Sequence, residues 1–345
     1  MATLETQQLD EVIAGSRRRM LTLGGAALAG LALTSVVQAQ TTLADADYLN
    51  FALNLEYLES QFYTLALSGQ TIDQLNLGLT GVGTQGTVVT KPGGPTACKV
   101  PFKITSVMNY ATEIATEERN HVTFLRSALG SLAVAQPQID LYNSFNYLST
   151  LLGLGLTSFD PFADDASFLL GSYIFEDVGV TAYTGAAPAL TVSGNLDAAA
   201  GIQAVEAYHA GLIRTSLYAL DQAPNVVASA GGTVPAGTLR AVASAISKVR
   251  ASADGSNSTS ATHTMGDDIG LGTQTVTLGG TTSYTATTLV DATTTGSINP
   301  STTTANSMVF ARTPAQVLGI VYAGGTTTSN KGFFPVGLNG AVGLK

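Results

Sequence analysis

The sequence predicts a mainly α-helical protein: a four-helix bundle with one long crossover, followed by a Thr-, Gly- and Ser-rich C-terminal extension with short helices and β segments. Four stretches with helical periodicity contain every glutamate that follows residue 39, and residues 222–345 contain none. In two of these stretches a glutamate precedes a histidine by three residues, at Glu118 to His121 and at Glu206 to His209. The second and third stretches are joined by a long connection, so their helices should run parallel, as in bundles with one crossover.

Each helix of the predicted bundle has apolar residues at helical spacing and a local signal at one of its ends. Asp45 or Asp47 can cap the first helix, and Ser68-Gly69 ends it. Gly130 ends the second helix. The predicted helices span residues 45–67, 104–129, 165–186 and 195–220.

Two long connections link these helices. Gly and Pro residues fill the loop at 70–103, where the sequence predicts a short hairpin around 87–90. The connection at 131–164 should hold short helical pieces. One face of such a piece would be lined by Tyr142, Phe145, Leu148 and Leu152.

The composition changes near Pro224, and Thr, Ser and Gly become frequent from about residue 255. β-prone pieces in this C-terminal extension predict strands at 273–278 and 282–289. One helix is predicted at 236–253. Another should start at Thr313-Pro314, with threonine as the N-cap and proline at the first helical position.

The N-terminus resembles a twin-arginine export signal. The run Ser16-Arg17-Arg18-Arg19-Met20-Leu21 is followed by an uncharged stretch and then by Val37-Gln38-Ala39, which matches a cleavage pattern. The predicted organisation is therefore a signal peptide at 1–39, the bundle at 40–221 and the extension at 222–345. We expect an exported protein that is periplasmic, secreted or at the cell surface, without stable membrane insertion after cleavage.

The net charge excludes some classes of partner, and the cysteine content indicates where the stability of the chain must come from. The net charge of −9 argues against binding to nucleic acid or anionic lipid. The single cysteine, Cys98, cannot form an internal disulfide, so the stability of an exported chain must come from its core. An apolar fraction of 45% is sufficient for such a core.

The glutamates and histidines of the bundle predict a di-metal carboxylate site. A glutamate and a histidine three residues apart share one helix face, so each such pair can point at the same metal ion. One glutamate from each of the other two helices completes the set. Four carboxylates and two imidazoles suit iron or manganese better than copper or calcium. The predicted metal ligands are Glu56, Glu118, His121, Glu176, Glu206 and His209.

Three acidic residues close to the predicted ligands have more than one possible role. Glu117 also shares a face with its histidine, but the spacing common to both helices selects Glu118, which leaves Glu117 either behind the ligands or solvated. Glu56 is preferred to Glu59 because Tyr63 lies on the same face seven residues later, although Glu59 remains a candidate ligand or gate. Asp177 could pair with a ligating imidazole or be solvated.

Five further residues with reactive side chains are expected to be solvated or to pack, and not to take part in the site. His263 lies in polar sequence and is expected to be solvated. Four tyrosines are expected to be packing residues rather than redox relays: Tyr57, Tyr110, Tyr183 and Tyr208.

These residues resemble the ferritin-like superfamily. Asn54-Leu55-Glu56 with Tyr63 is similar to the first ferritin helix, and the run from Glu117 to His121 is similar to the second. More narrowly, three segments resemble exported ferritin-like proteins related to plant desiccation-related protein. They are Leu49 to Glu59, Phe175 to Tyr183 and Gly332 to Pro335.

The resemblance implies a ferritin-like bundle with two Fe or Mn ions per chain, and places Tyr63 beside the metal site as an outer-sphere donor. It implies ferroxidase- or catalase-like chemistry with peroxide or O₂, although this family has no well-established reaction. The sequence has no Cys-x-x-Cys pair, so we expect no rubrerythrin-type electron-transfer domain. Its long C-terminal region argues against a hollow iron-storage cage.

Two functions from different classes follow. The first is an exported di-iron or di-manganese protein that acts in stress protection through peroxide or O₂ redox chemistry, as a homo-oligomer. The alternative is a structural or assembly protein of the cell envelope or of a desiccation response, built on the same bundle. Six converging donors favour the first function, whereas the polar, β-prone extension favours the second.

Overall fold

The computed structural model describes the bundle almost completely and the extension in part. The predicted signal peptide at 1–39 and His263 lie outside the described residues. The described residues are 43–156, 158–221, 226–227, 233–234, 238–255, 268, 270–277, 281–286, 309–324 and 332–340.

The described part of the chain is mainly helical, which confirms the predicted fold class. Four long helices, α1, α2, α4 and α5, form the bundle, in which α1 packs along α2 and α4 packs along α5. The short helix α3 lies in the crossover, and α6 and α7 belong to the extension. The helices are α1 Asp45–Ser68, α2 Thr105–Leu129, α3 Asn143–Leu151, α4 Asp165–Ala186, α5 Ser193–Asp221, α6 Thr238–Ala253 and α7 Pro314–Val321.

Local sequence explains several helix ends. Helix α1 ends at Gly69, whose left-handed φ of 71° lets its N–H bond to the Leu65 carbonyl, a conformation that glycine adopts at little cost. The Asp164 side chain caps α4 by accepting from the Ser167 amide at 2.9 Å. Thr313 caps α7 as predicted, with Pro314 at the first helical position.

Aromatic side chains fill the core at one end of the bundle. The Phe62 ring on α1 is stacked on Phe168 at a centroid distance of 5.8 Å and meets Phe175 edge-on at 5.2 Å. Phe333, from the extension, packs edge-on against Phe145 of α3 and against Phe175. The extension and the crossover therefore complete the same core as the bundle.

The loop before α2 pairs with the crossover instead of folding on itself. Strand β1, Val88–Val89, pairs in parallel with β2, Ile139–Asp140, so the prediction of a hairpin around 87–90 was wrong. The partner strand lies about fifty residues away in sequence, and β-propensity does not identify a partner. Within α3, Phe145 and Leu148 are buried, which agrees with the predicted apolar face.

The extension has short antiparallel ladders and packs on the bundle. Strand β3, Val226–Val227, pairs with β4, Thr233–Val234, and β5, Gly272–Thr277, pairs with β6, Thr281–Ala286. Helix α6 packs against α4 and α5, and α7 packs against α4. A search of the described helices found no segment with the length and apolarity needed to cross a membrane.

Candidate metal centre

All six predicted ligands converge inside the bundle. Each side chain comes from one of the four long helices, and each residue is at most 8% exposed. Their donor atoms form two groups, within each of which all atoms lie no more than 4.8 Å apart. One group is Glu56, Glu118, His121 and Glu206, and the other is Glu118, Glu176, Glu206 and His209.

The two groups share Glu118 and Glu206, so these two carboxylates lie between two positions for a cation. Glu56 and His121 flank one position, whereas Glu176 and His209 flank the other. This arrangement is what a pair of bridged ions requires, since each carboxylate offers two oxygens.

Both imidazoles direct Nδ1 into the centre. Nδ1 of His121 lies 3.3 Å from Glu56 Oε2 and 3.6 Å from Glu118 Oε2. Nδ1 of His209 lies 3.1 Å from Glu118 Oε1 and 3.2 Å from Glu176 Oε2. His121 thus lies against one carboxylate of its own helix and one of α1, whereas both carboxylates beside His209 come from other helices, α2 and α4.

The donor atoms that face the centre have no hydrogen-bond partner. A buried polar atom without a partner is costly, and most proteins avoid it. Eight such atoms at one point in the bundle therefore indicate a place for ions that would satisfy them. They are both carboxylate oxygens of Glu118 and Glu206, Oε2 of Glu56 and Glu176, and Nδ1 of His121 and His209.

The raised pKa values of residues at the centre also indicate a place for cations. Burial, together with the neighbouring carboxylates, raises the pKa of Glu206 well above its usual value. Burial raises the pKa of Glu56 to about 7, although His121 opposes this. Burial disfavours the charged form of His121, but Glu56 and Glu118 outweigh it and raise its pKa to about 11. Without cations the site retains protons, and two divalent ions would balance its negative charge in their place.

Two tyrosines fix which oxygen of each flanking carboxylate faces the centre. The Tyr63 hydroxyl donates to Oε1 of Glu176, which leaves Oε2 toward His209. The Tyr183 hydroxyl donates to Oε1 of Glu56 at 2.5 Å, which leaves Oε2 toward His121. The expected position of Tyr63 beside the site agrees with this contact. Tyr183 packs in the core as expected and in addition binds Glu56, a contact that the sequence does not show because it depends on how α4 faces α1.

Glu117 lies behind His209, which is one of the two positions that the sequence analysis considered for it. Its Oε2 is 2.6 Å from Nε2 of His209, on the side of the ring away from the centre. The Glu117 side chain is 34% exposed, whereas that of His209 is fully buried. A carboxylate in this place sets the tautomer and the orientation of the ring.

Gly179 provides the space that Glu206 occupies. A Cβ at this position of α4 would overlap Oε2 of Glu206. Only glycine therefore allows α4 to approach this shared carboxylate so closely. Sequence analysis missed this residue, and a glycine within an apolar helix was the one available signal.

Asp177 is neither solvated nor paired with an imidazole, so both interpretations from the sequence were wrong. It is 2% exposed and lies 2.8 Å from Arg214 and 2.7 Å from Arg250. Arg250 and Arg312, both from the extension, also bind Asp268, and Arg312 binds Asp254. The buried charges therefore join the extension to α4 next to Glu176.

The other candidates lie around the centre without joining either group. Glu59 is buried, and the nearby carboxylates add to the burial that raises its pKa well above the usual value. Tyr57 binds the Val134 carbonyl and Arg126, which fits a packing role. Tyr208 is exposed and its hydroxyl contacts Glu113 at 3.2 Å.

The comparisons with known proteins agree with this architecture. The family model described as "Ferritin-like domain" matches residues 44–219, about half of the chain, so the protein belongs to the ferritin-like domain family. The matched region contains α1, α2, α4 and α5 and hence all six candidate ligands.

Two curated relatives are similar over different shares of the chain. Desiccation-related protein PCC13-62 of Craterostigma plantagineum is 33% identical over 184 residues, which cover 51% of this chain and 53% of that relative. The match thus spans about half the length of this relative. Ferritin-like catalase Nec2 of Nesocodon mauritianus is 26% identical over 300 residues, 87% of this chain and 85% of that protein. No solved structure matches the chain significantly.

Proposed function

We propose that this protein is an exported di-metal carboxylate protein that holds two Fe or Mn ions and disproportionates hydrogen peroxide in stress protection. The observation that carries this proposal is the set of eight buried donor atoms without hydrogen-bond partners at the middle of the bundle. We further propose that its mature form begins near Gln40 and assembles as a homo-oligomer.

The donor chemistry supports a redox metal. Glu56, Glu118 and His121 would hold one ion with Glu206, and Glu176 and His209 would hold the other with the same two shared carboxylates. Carboxylate and imidazole ligands accommodate iron and manganese in two oxidation states. Such a pair of ions would supply and recover the two electrons that pass when two molecules of hydrogen peroxide give two of water and one of O₂.

The surrounding residues would keep this chemistry controlled. Tyr63 and Tyr183 donate to the outer oxygens of Glu176 and Glu56, so the inner oxygens stay directed at the centre. Glu117 orients His209 from outside. Burial of all six donors excludes bulk water, which strengthens every electrostatic interaction within the site.

One of the two relatives favours peroxide as the substrate. The relative that is similar over most of both chains is named a ferritin-like catalase. A ferroxidase would use the same donors, so O₂ with ferrous iron is the second substrate to assay. A purely structural protein would gain nothing from six converging donors, whose buried charges cost stability.

The test measures O₂ release from hydrogen peroxide by the metal-loaded protein, together with its metal content. Glu118→Gln should lose both turnover and metal, because the amide keeps the shape but cannot bridge two cations. Glu113→Gln is the matched control on the same helix, since Glu113 is exposed and, among the described residues, hydrogen-bonds only to Tyr208. Turnover that persists in Glu118→Gln would contradict the proposed function.

A further inference from the structure

A small apolar cavity adjoins the candidate metal centre. It measures about 40 Å³ and lies between α1, α4 and α7, with Phe333 of the extension closing one side. About 10–15 Å³ on this measure is enough for one water molecule, so the cavity accepts molecules of the size of water or hydrogen peroxide. Nearly all of its walls are carbon, contributed by residues such as Leu55, Phe175, Val178 and Ile320.

The cavity leads from the partly exposed surface of the bundle to the donors. Tyr48, Ala52, Leu55, Ala182 and Ala186 line it and are all half-buried. The inner lining is buried and reaches the metal centre itself. This part includes Glu56, Glu59, Gly179 and Tyr183.

The walls select for an uncharged molecule. A metal cation would lose its hydration along an apolar lining that returns almost no ligands, and such desolvation is costly. An anion would lose its hydration along the same lining, and at the inner end it would meet a centre rich in carboxylates. Hydrogen peroxide is small and neutral, and its two hydroxyl groups can bond to an acid at the end of the passage.

Glu59 is the acid that is free to make this bond. Glu56 is already bound to Tyr183 through Oε1 and faces His121 through Oε2. Glu59 lines the cavity, belongs to neither group of metal-binding atoms, and makes no hydrogen bond within the described part of the chain.

We propose that this cavity admits hydrogen peroxide to the metal centre, and that Glu59 binds the arriving molecule at the inner end. The inference rests on the proposed function, because it assigns the substrate's route to the same site. Hydrogen peroxide and metal ions would then reach the centre by different routes. Filling the cavity should therefore slow turnover without reducing the metal content.

Two substitutions fill the cavity from different helices. Ala52→Leu on α1 and Ala182→Leu on α4 should each lower kcat/KM for hydrogen peroxide by about tenfold or more, the scale on which a hydrophobic pocket rejects one added methylene. Both should retain the metal content of the wild-type protein. Ala46→Leu is the matched control, because Ala46 is half-buried on α1 and does not line the cavity.

Wild-type kcat/KM in both filled variants would overturn the route while leaving the proposed function intact. A wild-type protein with two metal ions and no peroxide turnover would instead overturn the proposed function. Xenon gives a readout that needs no activity, since this gas binds dry apolar cavities. It should occupy the cavity in wild-type crystals and be absent from Ala182→Leu, and its absence from the wild-type cavity would contradict the route.

Glu59→Leu tests the second part of the proposal. The variant should keep both metal ions and lose up to about tenfold in kcat/KM, the scale expected for one lost hydrogen bond. Glu59→Gln should recover part of this loss because the amide still forms hydrogen bonds. Loss of metal from Glu59→Leu would make Glu59 a ligand and overturn its assignment to the substrate.

Discussion

Replacing Arg250 by methionine should destabilise the protein strongly, because this residue joins the extension to the bundle. Its guanidinium binds Asp177 of α4 at 2.7 Å and Asp268 of the extension at 2.7 and 2.8 Å. It also donates to the Tyr173 carbonyl at 2.5 Å and to the Ser247 hydroxyl at 3.1 Å. Methionine fills a similar volume but makes none of these bonds.

The magnitude follows from what the substitution leaves behind. Asp177 is still paired with Arg214, and Asp268 with Arg312, so each carboxylate retains an ion-pair partner. The net charge of the buried cluster nevertheless becomes more negative by one. Removing one partner from a buried ion pair costs about 3–5 kcal/mol, and the remaining arginines favour the lower end of that range. For a mature chain of about 300 residues, this corresponds to a fall in Tm of about 5 °C.

Thermal unfolding followed by circular dichroism, on the full mature chain, measures this effect. Lys248→Met is the matched control, because Lys248 is an exposed base on the same helix and surface substitutions usually change stability by no more than about 0.5 kcal/mol. A Tm for Arg250→Met equal to that of the control would refute the reasoning. It would mean that the buried cluster contributes nothing to the attachment of the extension.

Three further outcomes are expected. Gly179→Ala should lose metal because its Cβ would overlap Glu206, whereas Gly201→Ala, in open space on α5, should stabilise the protein by about 0.5–1 kcal/mol; metal analysis and thermal unfolding check the pair. Burial opposes ionisation of Asp268, but the arginines outweigh it and lower its pKa to about 2. This contribution to stability is complete above about pH 4 and is lost as the pH falls toward 2. The free energy of urea unfolding should therefore fall less between pH 4 and pH 2 in Asp268→Asn than in the wild-type protein. N-terminal sequencing of the protein collected outside the cytoplasm should begin near Gln40, and a retained Met1 would contradict cleavage.

The helices could be predicted from the sequence because their signals are local. The third predicted helix matches α4, and the others differ from the structure by no more than two residues at either end. The spacing of Glu118 to His121 and of Glu206 to His209 is a local property of a helix face as well. For that reason the convergence of the six donors was predictable once four amphipathic helices had been recognised.

The features that the sequence did not show depend on which surfaces meet. Tyr183 and Gly179 matter because α4 presents them to Glu56 and Glu206, and no short-range pattern encodes that contact. The partners of Asp177 come from α5 and α6, far along the chain. Strand β1 likewise pairs with a distant segment rather than with its neighbour.

Metal stoichiometry of the mature protein tests the central claim most directly. Protein purified from its native host, or loaded by titration with ferrous iron or manganese, should contain two ions per chain by mass spectrometry of the metal. The double variant Glu118→Gln, Glu206→Gln should contain none, because it removes both shared carboxylates while keeping their shape. Folded wild-type protein that holds no transition metal and takes up none on titration would contradict the account.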